Sequence, residues 1–173
     1  MKLINLILLI ATLTITCFCQ GCDSVDDDRI PNMPVNISIA DAGMWNTYGV
    51  SGFGSYKNFI LNPRQPASFP YSTKSATGFG GVLLIEGIDP FLGNINAPLA
   101  YDLACPVERD PEIKIQINSE SYMAFCQKCG STYDVTMQRG APVSGPAALG
   151  KYKCGLKTYT CLSSGIGGYY ITN

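Results

Sequence analysis

The side chains of this protein best suited to chemistry are its cysteines. The sequence holds 8 Cys and no His among 173 residues. The informative stretches are Cys105-Pro106-Val107 and Cys126-Gln127-Lys128-Cys129-Gly130-Ser131-Thr132-Tyr133-Asp134, with Cys154 and Cys161 further on. A Cys-x-x-Cys-Gly turn sets two thiolates on one side of a tight loop, and its glycine lets the following backbone N–H turn towards sulfur. That spacing serves zinc, iron–sulfur and redox-disulfide sites alike. The missing histidine removes Ser-His-Asp and Cys-His nucleophiles, HExxH zinc hydrolysis and every imidazole-ligated metal. Asp102, Glu108, Asp110, Glu112 and Asp134 are spread through turns and strands, and nothing in their spacing favours a glycosidase-like acid pair. No phosphate-binding loop and no Gly-x-Ser-x-Gly elbow occur. The chain reads as a binding or structural protein rather than an enzyme.

The elements that must position these cysteines are short strands. Val35, Ile37 and Ile39 alternate with polar neighbours, and Gly81-Val82-Leu83-Leu84-Ile85 is continuously apolar. The first pattern predicts a half-buried strand and the second a strand buried on both faces. Ile113, Ile115 and Ile117 alternate with Lys114 and Gln116, and further runs fall at 99–103, 122–125, 132–137, 156–162 and 169–172. Gly, Pro, Asn and Ser separate them, and no long helix-period stripe follows Cys22. The expectation is an all-β protein, a small antiparallel sandwich or barrel. Residues 44–78 hold seven Gly and Pro together with Trp45, Tyr48, Phe53, Tyr56, Phe59, Phe69 and Tyr71. They are expected to form an irregular excursion whose aromatics pack onto the barrel. A surface patch binding a glycan or another ligand is the alternative.

The order of these motifs resembles the Rieske iron–sulfur domain, over about residues 79–172. In that family one loop reads Cys-x-His and a second reads Cys-x-x-His before Gly-Ser-x-Tyr-Asp. Cys105 and Cys126 stand at the two cysteine ligands, while Val107 and Cys129 stand where the histidines would be. Ser131 and Tyr133 match the hydroxyls that tune the family's cluster, and Gly145-Pro146-Ala147 matches the loop that covers it. The resemblance implies a small antiparallel Rieske-type β-fold over 34–173. It also implies that the family's cofactor is lost or altered, because a Rieske centre needs two imidazoles on one iron. The likeness is greatest to anchored, Rieske-like lipoproteins with incomplete ligands.

Three uses of the cysteines follow. Structural disulfides among Cys105, Cys126, Cys129, Cys154 and Cys161 are favoured in an oxidising compartment. A four-thiolate site is the alternative. There Cys154 replaces the donor missing at Val107, beside Cys105, Cys126 and Cys129, and holds zinc, iron or an all-cysteine [2Fe–2S] cluster, the last making an electron-transfer protein. Thiol–disulfide exchange by Cys126 and Cys129 is disfavoured, because no helix is expected to lower a thiol pKa there. Cys154 is thus the discriminating residue, pointing either at the other three sulfurs or at Cys161.

The N-terminus carries an address. Lys2 precedes an uncharged apolar run, residues 3–15, too short to span a bilayer but suited to a secretory signal. Gly21-Cys22 follows, and then the acidic Asp23-Ser24-Val25-Asp26-Asp27-Asp28. A small residue before a cysteine at this place resembles the lipobox of bacterial lipoproteins, which implies a lipid on Cys22. The expected organisation is a signal peptide over 1–21, an acidic tether over 22–33 and the β domain over 34–173. The expected location is the bacterial cell envelope at the outer membrane, with the membrane as partner through the lipid. With 12 basic and 13 acidic residues and a net charge of −1, no nucleic-acid partner is expected.

Overall fold

The computed structural model describes residues 24–91, 93–150 and 152–173. The chain begins with β1 (Ser24–Asp26) and β2 (Val35–Asp41), followed by one short helix, α1 (Ala42–Tyr48). It continues through β3 (Tyr56–Phe59), β4 (Ala76–Thr77), β5 (Val82–Asp89) and β6 (Asn94–Asp102). A run of shorter strands comes next: β7 (Gln116–Ile117), β8 (Met123–Phe125), β9 (Thr132–Asp134) and β10 (Ala141–Ser144). After a 3-10 turn at Pro146–Ala148 the chain ends in β11 (Tyr152–Cys154), β12 (Thr158–Ser163) and β13 (Gly167–Thr172). The fold is all-β and largely antiparallel, as the sequence predicts.

Seven strands form the main sheet in the order β3-β5-β6-β12-β13-β2-β4, which curls into a nearly closed barrel. A second sheet, β10-β9-β8-β7, packs beside it, and β1 pairs with β11 in parallel. The continuous apolar run of β5 is the wall between two cores. Val82 and Leu84 face one, with Ile37, Ile39, Phe59 and Ile171, while Leu83 and Ile85 face the other, with Tyr101, Cys105, Tyr133 and Leu156. Every one of these side chains is at most 1% exposed. Full burial of each aliphatic chain contributes about 1.5–3 kcal/mol. Strand β2 alternates between buried and exposed residues, as its sequence period requires.

The strands expected at 113–117 and 132–137 are shorter than predicted. Ile115 is buried, but pairing is confined to Gln116–Ile117 and a single bridge between Ala104 and Lys114. Strand β9 stops at Asp134 because that carboxylate turns the chain, accepting from the backbone N–H groups of Thr136 (3.0 Å) and Met137 (2.9 Å).

The excursion over 44–78 is more regular than its composition suggests. It begins in α1, where Asp41 accepts from Met44 N at 2.8 Å as the N-cap. It then supplies both edge strands of the main sheet, β3 against β5 and β4 against β2. Its aromatics pack on one another, with Phe69 edge-on to Tyr48, Phe59 and Tyr71 at centroid distances of 5.2, 5.0 and 4.7 Å. Phe59 and Phe69 belong to the core, while Phe53 and Tyr56 stay exposed.

The described part of the acidic tether lies on the domain. Ser24, Val25 and Asp26 pair with Tyr152, Lys153 and Cys154, and Gly155 N donates to Asp26 O at 2.9 Å. Asp28 meets the largely buried Lys157 at 3.3 Å, and Ile30 is buried.

Candidate metal centre

Two loops at one end of the second sheet bring three cysteines together. Cys105 lies just past β6, where Leu103 N donates to Gly81 O (2.9 Å) and Cys105 N to Ile113 O (3.0 Å). These bonds hold the base of the 105–113 loop. Cys126 follows β8 and is closed against the start of β9 by Cys126 N donating to Ser131 O (2.9 Å). Within that turn Gly130 N donates to Cys126 O (2.9 Å), with Gly130 at φ 72, a left-handed conformation that favours glycine. The two loops are clamped by Lys128 Nζ and Glu108 Oε2, 2.8 Å apart.

The sulfurs of Cys105, Cys126 and Cys129 all lie within 4.8 Å of one another, the first two buried and the third half-buried. Cys105 and Cys129 are 3.7 Å apart at sulfur. The hydroxyl of Tyr133 stands 3.6 Å from Cys105 Sγ, and the Cys129 thiol donates to Ser131 Oγ at 3.2 Å. Ser131 Oγ also accepts from Ala147 N at 3.0 Å, which ties the third loop to the site. A Cβ at Gly145 would stand 2.7 Å from Ser131 Cα, so the loop lies flush on the second one only because this residue is glycine.

The environment separates the thiols. Burial pushes Cys105 up to about 12, against the pull of backbone N–H groups of Glu108 and Val107 and of the Tyr133 hydroxyl. Burial also acts to raise Cys129, but hydrogen bonds with the Ser131 side chain and backbone and with the other two cysteines outweigh it, and its pKa is lowered. Tyr133 is held well above the usual phenol range, first by burial and then by the neighbouring sulfurs. It is a neutral donor at any physiological pH.

The expected structural disulfides are not formed. No disulfide joins any two of Cys105, Cys126, Cys129, Cys154 and Cys161. The 3.7 Å between Cys105 and Cys129 compares with about 2.05 Å for a sulfur–sulfur bond. Neither expected position of Cys154 is found. It sits in β11 opposite Asp26, accepting from Arg29 Nη1 at 2.6 Å, outside the three-sulfur group. Cys161 is opposite Ile171 in the main sheet. Among the described residues no fourth His, Cys, Asp or Glu joins the three. Val107 is partly buried and packs against the core. Cys22 lies outside the described residues.

Sequence reasoning singled out Cys105, Cys126, Cys129, Ser131 and Tyr133, and the structure gathers all five. It missed the Lys128–Glu108 clamp, whose only trace is opposite charge next to each cysteine loop. The Arg29–Cys154 contact leaves no trace in the sequence. The chain matches no protein-family model, no curated protein and no solved structure.

Proposed function

We propose that this chain is a lipid-anchored envelope protein whose Rieske-like domain binds one thiophilic metal ion, zinc or iron, through Cys105, Cys126 and Cys129. The observation that carries the reading is the convergence of three sulfurs around one point. Their Cys105–Cys129 spacing of 3.7 Å is close to the edge of a tetrahedron of sulfurs about 2.3 Å from zinc, which is about 3.8 Å. Backbone N–H groups and two hydroxyls directed at the sulfurs are what a thiolate site requires. A Rieske [2Fe–2S] centre does not fit these residues, since the chain has no imidazole and Val107 offers no donor. A four-cysteine cluster fits no better, because Cys154 is held elsewhere by Arg29. With three protein donors, the fourth place on the metal falls to water or an exogenous ligand, the arrangement of open rather than closed zinc sites.

The Rieske likeness is supported by the order of the two cysteine loops and by Ser131, Tyr133 and the Gly145–Ala147 loop packing on them. The lipid anchor is supported by Gly21-Cys22 after the apolar run. Elemental analysis of protein purified without oxygen tests the reading. One zinc or iron per chain is expected, lost in Cys126→Ser and kept in Cys154→Ser. Cobalt(II) loading should add sulfur-to-metal charge-transfer absorption. Protein free of metal after reconstitution under reducing conditions would sink the proposal.

A further inference from the structure

The anchor and the fold are too close together for the domain to hang free. Cys22 is two positions before Ser24, and two residues span at most about 7 Å. From Ser24 onward the chain belongs to the domain: β1 is hydrogen-bonded along β11, Arg29 reaches Cys154, Asp28 reaches Lys157, and Ile30 is buried. A lipid at Cys22 therefore fixes this edge of the domain at the leaflet surface.

That edge carries exposed apolar side chains. Val25 is 44% exposed and lines a shallow cleft together with Phe91, which is 79% exposed. Leu149, 71% exposed, lies three residues before Tyr152, the partner of Ser24. Arg139 is placed over the Phe91 ring at 5.2 Å from its centroid, so a cation sits beside the aromatic, as at lipid headgroup level. Another exposed apolar residue, Ile166, is 67% exposed but lies in the β12–β13 turn. No residue of that turn lines the cleft.

We infer that the β1–β11 edge, with Val25, Phe91 and Leu149, is a membrane-contact face that rests on the lipid leaflet holding Cys22. The inference rests on the lipid anchor proposed above. The acyl chains supply the affinity and these side chains set the orientation, because two or three exposed apolar residues bind a bilayer only weakly by themselves. The acidic Asp26, Asp27 and Asp28 along the same edge suit a zwitterionic surface better than an anionic one.

The test uses the full lipidated chain in phosphatidylcholine vesicles with brominated acyl chains, which quench tryptophan only at short range. Trp45, the single native tryptophan, is replaced by Phe, and either Phe91→Trp or Ile166→Trp is added. Both added positions are exposed, so folding is not at stake. If Trp45→Phe lowers stability, Trp45 is kept and the difference from the unmodified chain is read. The Phe91→Trp emission should fall by more than half on bromination, and the Ile166→Trp emission should not change. Equal quenching at both sites overturns the inference. So does an unquenched Phe91→Trp in protein that floats with vesicles and carries the acyl mass on Cys22, a result that leaves the anchor standing. Protein with neither acyl mass nor vesicle flotation removes the anchor, and the inference falls with it.

Discussion

Arg29 donates from its guanidinium to the sulfur of Cys154 at 2.6 Å, across 125 residues of sequence. The contact fastens the N-terminal segment to β11 and withholds Cys154 from the three-sulfur site. Replacing Arg29 with Ala removes one charge-assisted hydrogen bond and should cost about 1 kcal/mol of stability. Proteolysis should speed up within residues 24–30 before any other part of the domain opens. Metal content should be unchanged in both Arg29→Ala and Cys154→Ser. Loss of metal in Cys154→Ser would restore Cys154 as a ligand and refute the three-cysteine site.

The three sulfurs are close in space but unequal in chemistry. In reduced protein stripped of metal, iodoacetamide at neutral pH should label Cys129 well before Cys105. Cys129 is half-buried with a lowered pKa, whereas burial pushes Cys105 up to about 12. Thiolate, not thiol, is the nucleophile. Once Cys129 ionises, the Ser131 hydroxyl donates to its sulfur, so Ser131→Ala should slow Cys129 labelling several-fold. Mass spectrometry of tryptic peptides over a time course reads both rates, and faster labelling at Cys105 would contradict the assigned environments.

How far the sequence reached depends on how local each signal is. The Cys126–Tyr133 turn is legible because its hydrogen bonds close within six residues, from Cys126 N to Ser131 O and Gly130 N to Cys126 O. The period of β2 and the apolar run of β5 are legible because burial alone writes them. Strand β3 is not, since only Phe59 of its four residues is buried, and it is a strand because β5 offers it an open edge. The position of Cys154 is illegible for the same reason. It is decided by β1 and Arg29, which reach β11 from the other end of the chain, so spacing to Cys129 or Cys161 carries no information about it.

Asp102 ties the start of the cysteine loop to the main sheet. Fully buried, it accepts from Phe79 N (2.9 Å), Gly80 N (3.0 Å), Ala104 N (2.7 Å) and the Tyr159 hydroxyl (2.6 Å). Asp102→Asn would turn an N–H₂ group towards some of these donors and should cost about 2–3 kcal/mol, the penalty of leaving buried polar groups unmade. Tyr159→Phe removes one bond and leaves three, and should cost about 1 kcal/mol. Urea unfolding measures both. Equal losses in the two variants would mean that the Tyr159 bond alone holds the carboxylate.

Cys161 provides the clearest link between pH and stability. It sits in β12 opposite Ile171, and burial alone pushes its thiol from 9.0 up to about 12. In the unfolded chain the thiol ionises near its ordinary value, so between pH 9 and 12 the folded state holds more protons than the unfolded one. The contribution of this residue is therefore fully present below pH 9 and is lost as pH rises through that window. From pH 9 to 10.5 the loss from this one residue should be about 1–2 kcal/mol, since each unit of pH across such a window is worth about 1.4 kcal/mol. Other thiols and tyrosines titrate in the same range, so the comparison needs Cys161→Val, which keeps the site apolar and has no proton to lose. Urea midpoints of the two proteins should diverge above pH 9 in favour of Cys161→Val. Parallel curves would show that the thiol ionises as readily in the fold as outside it.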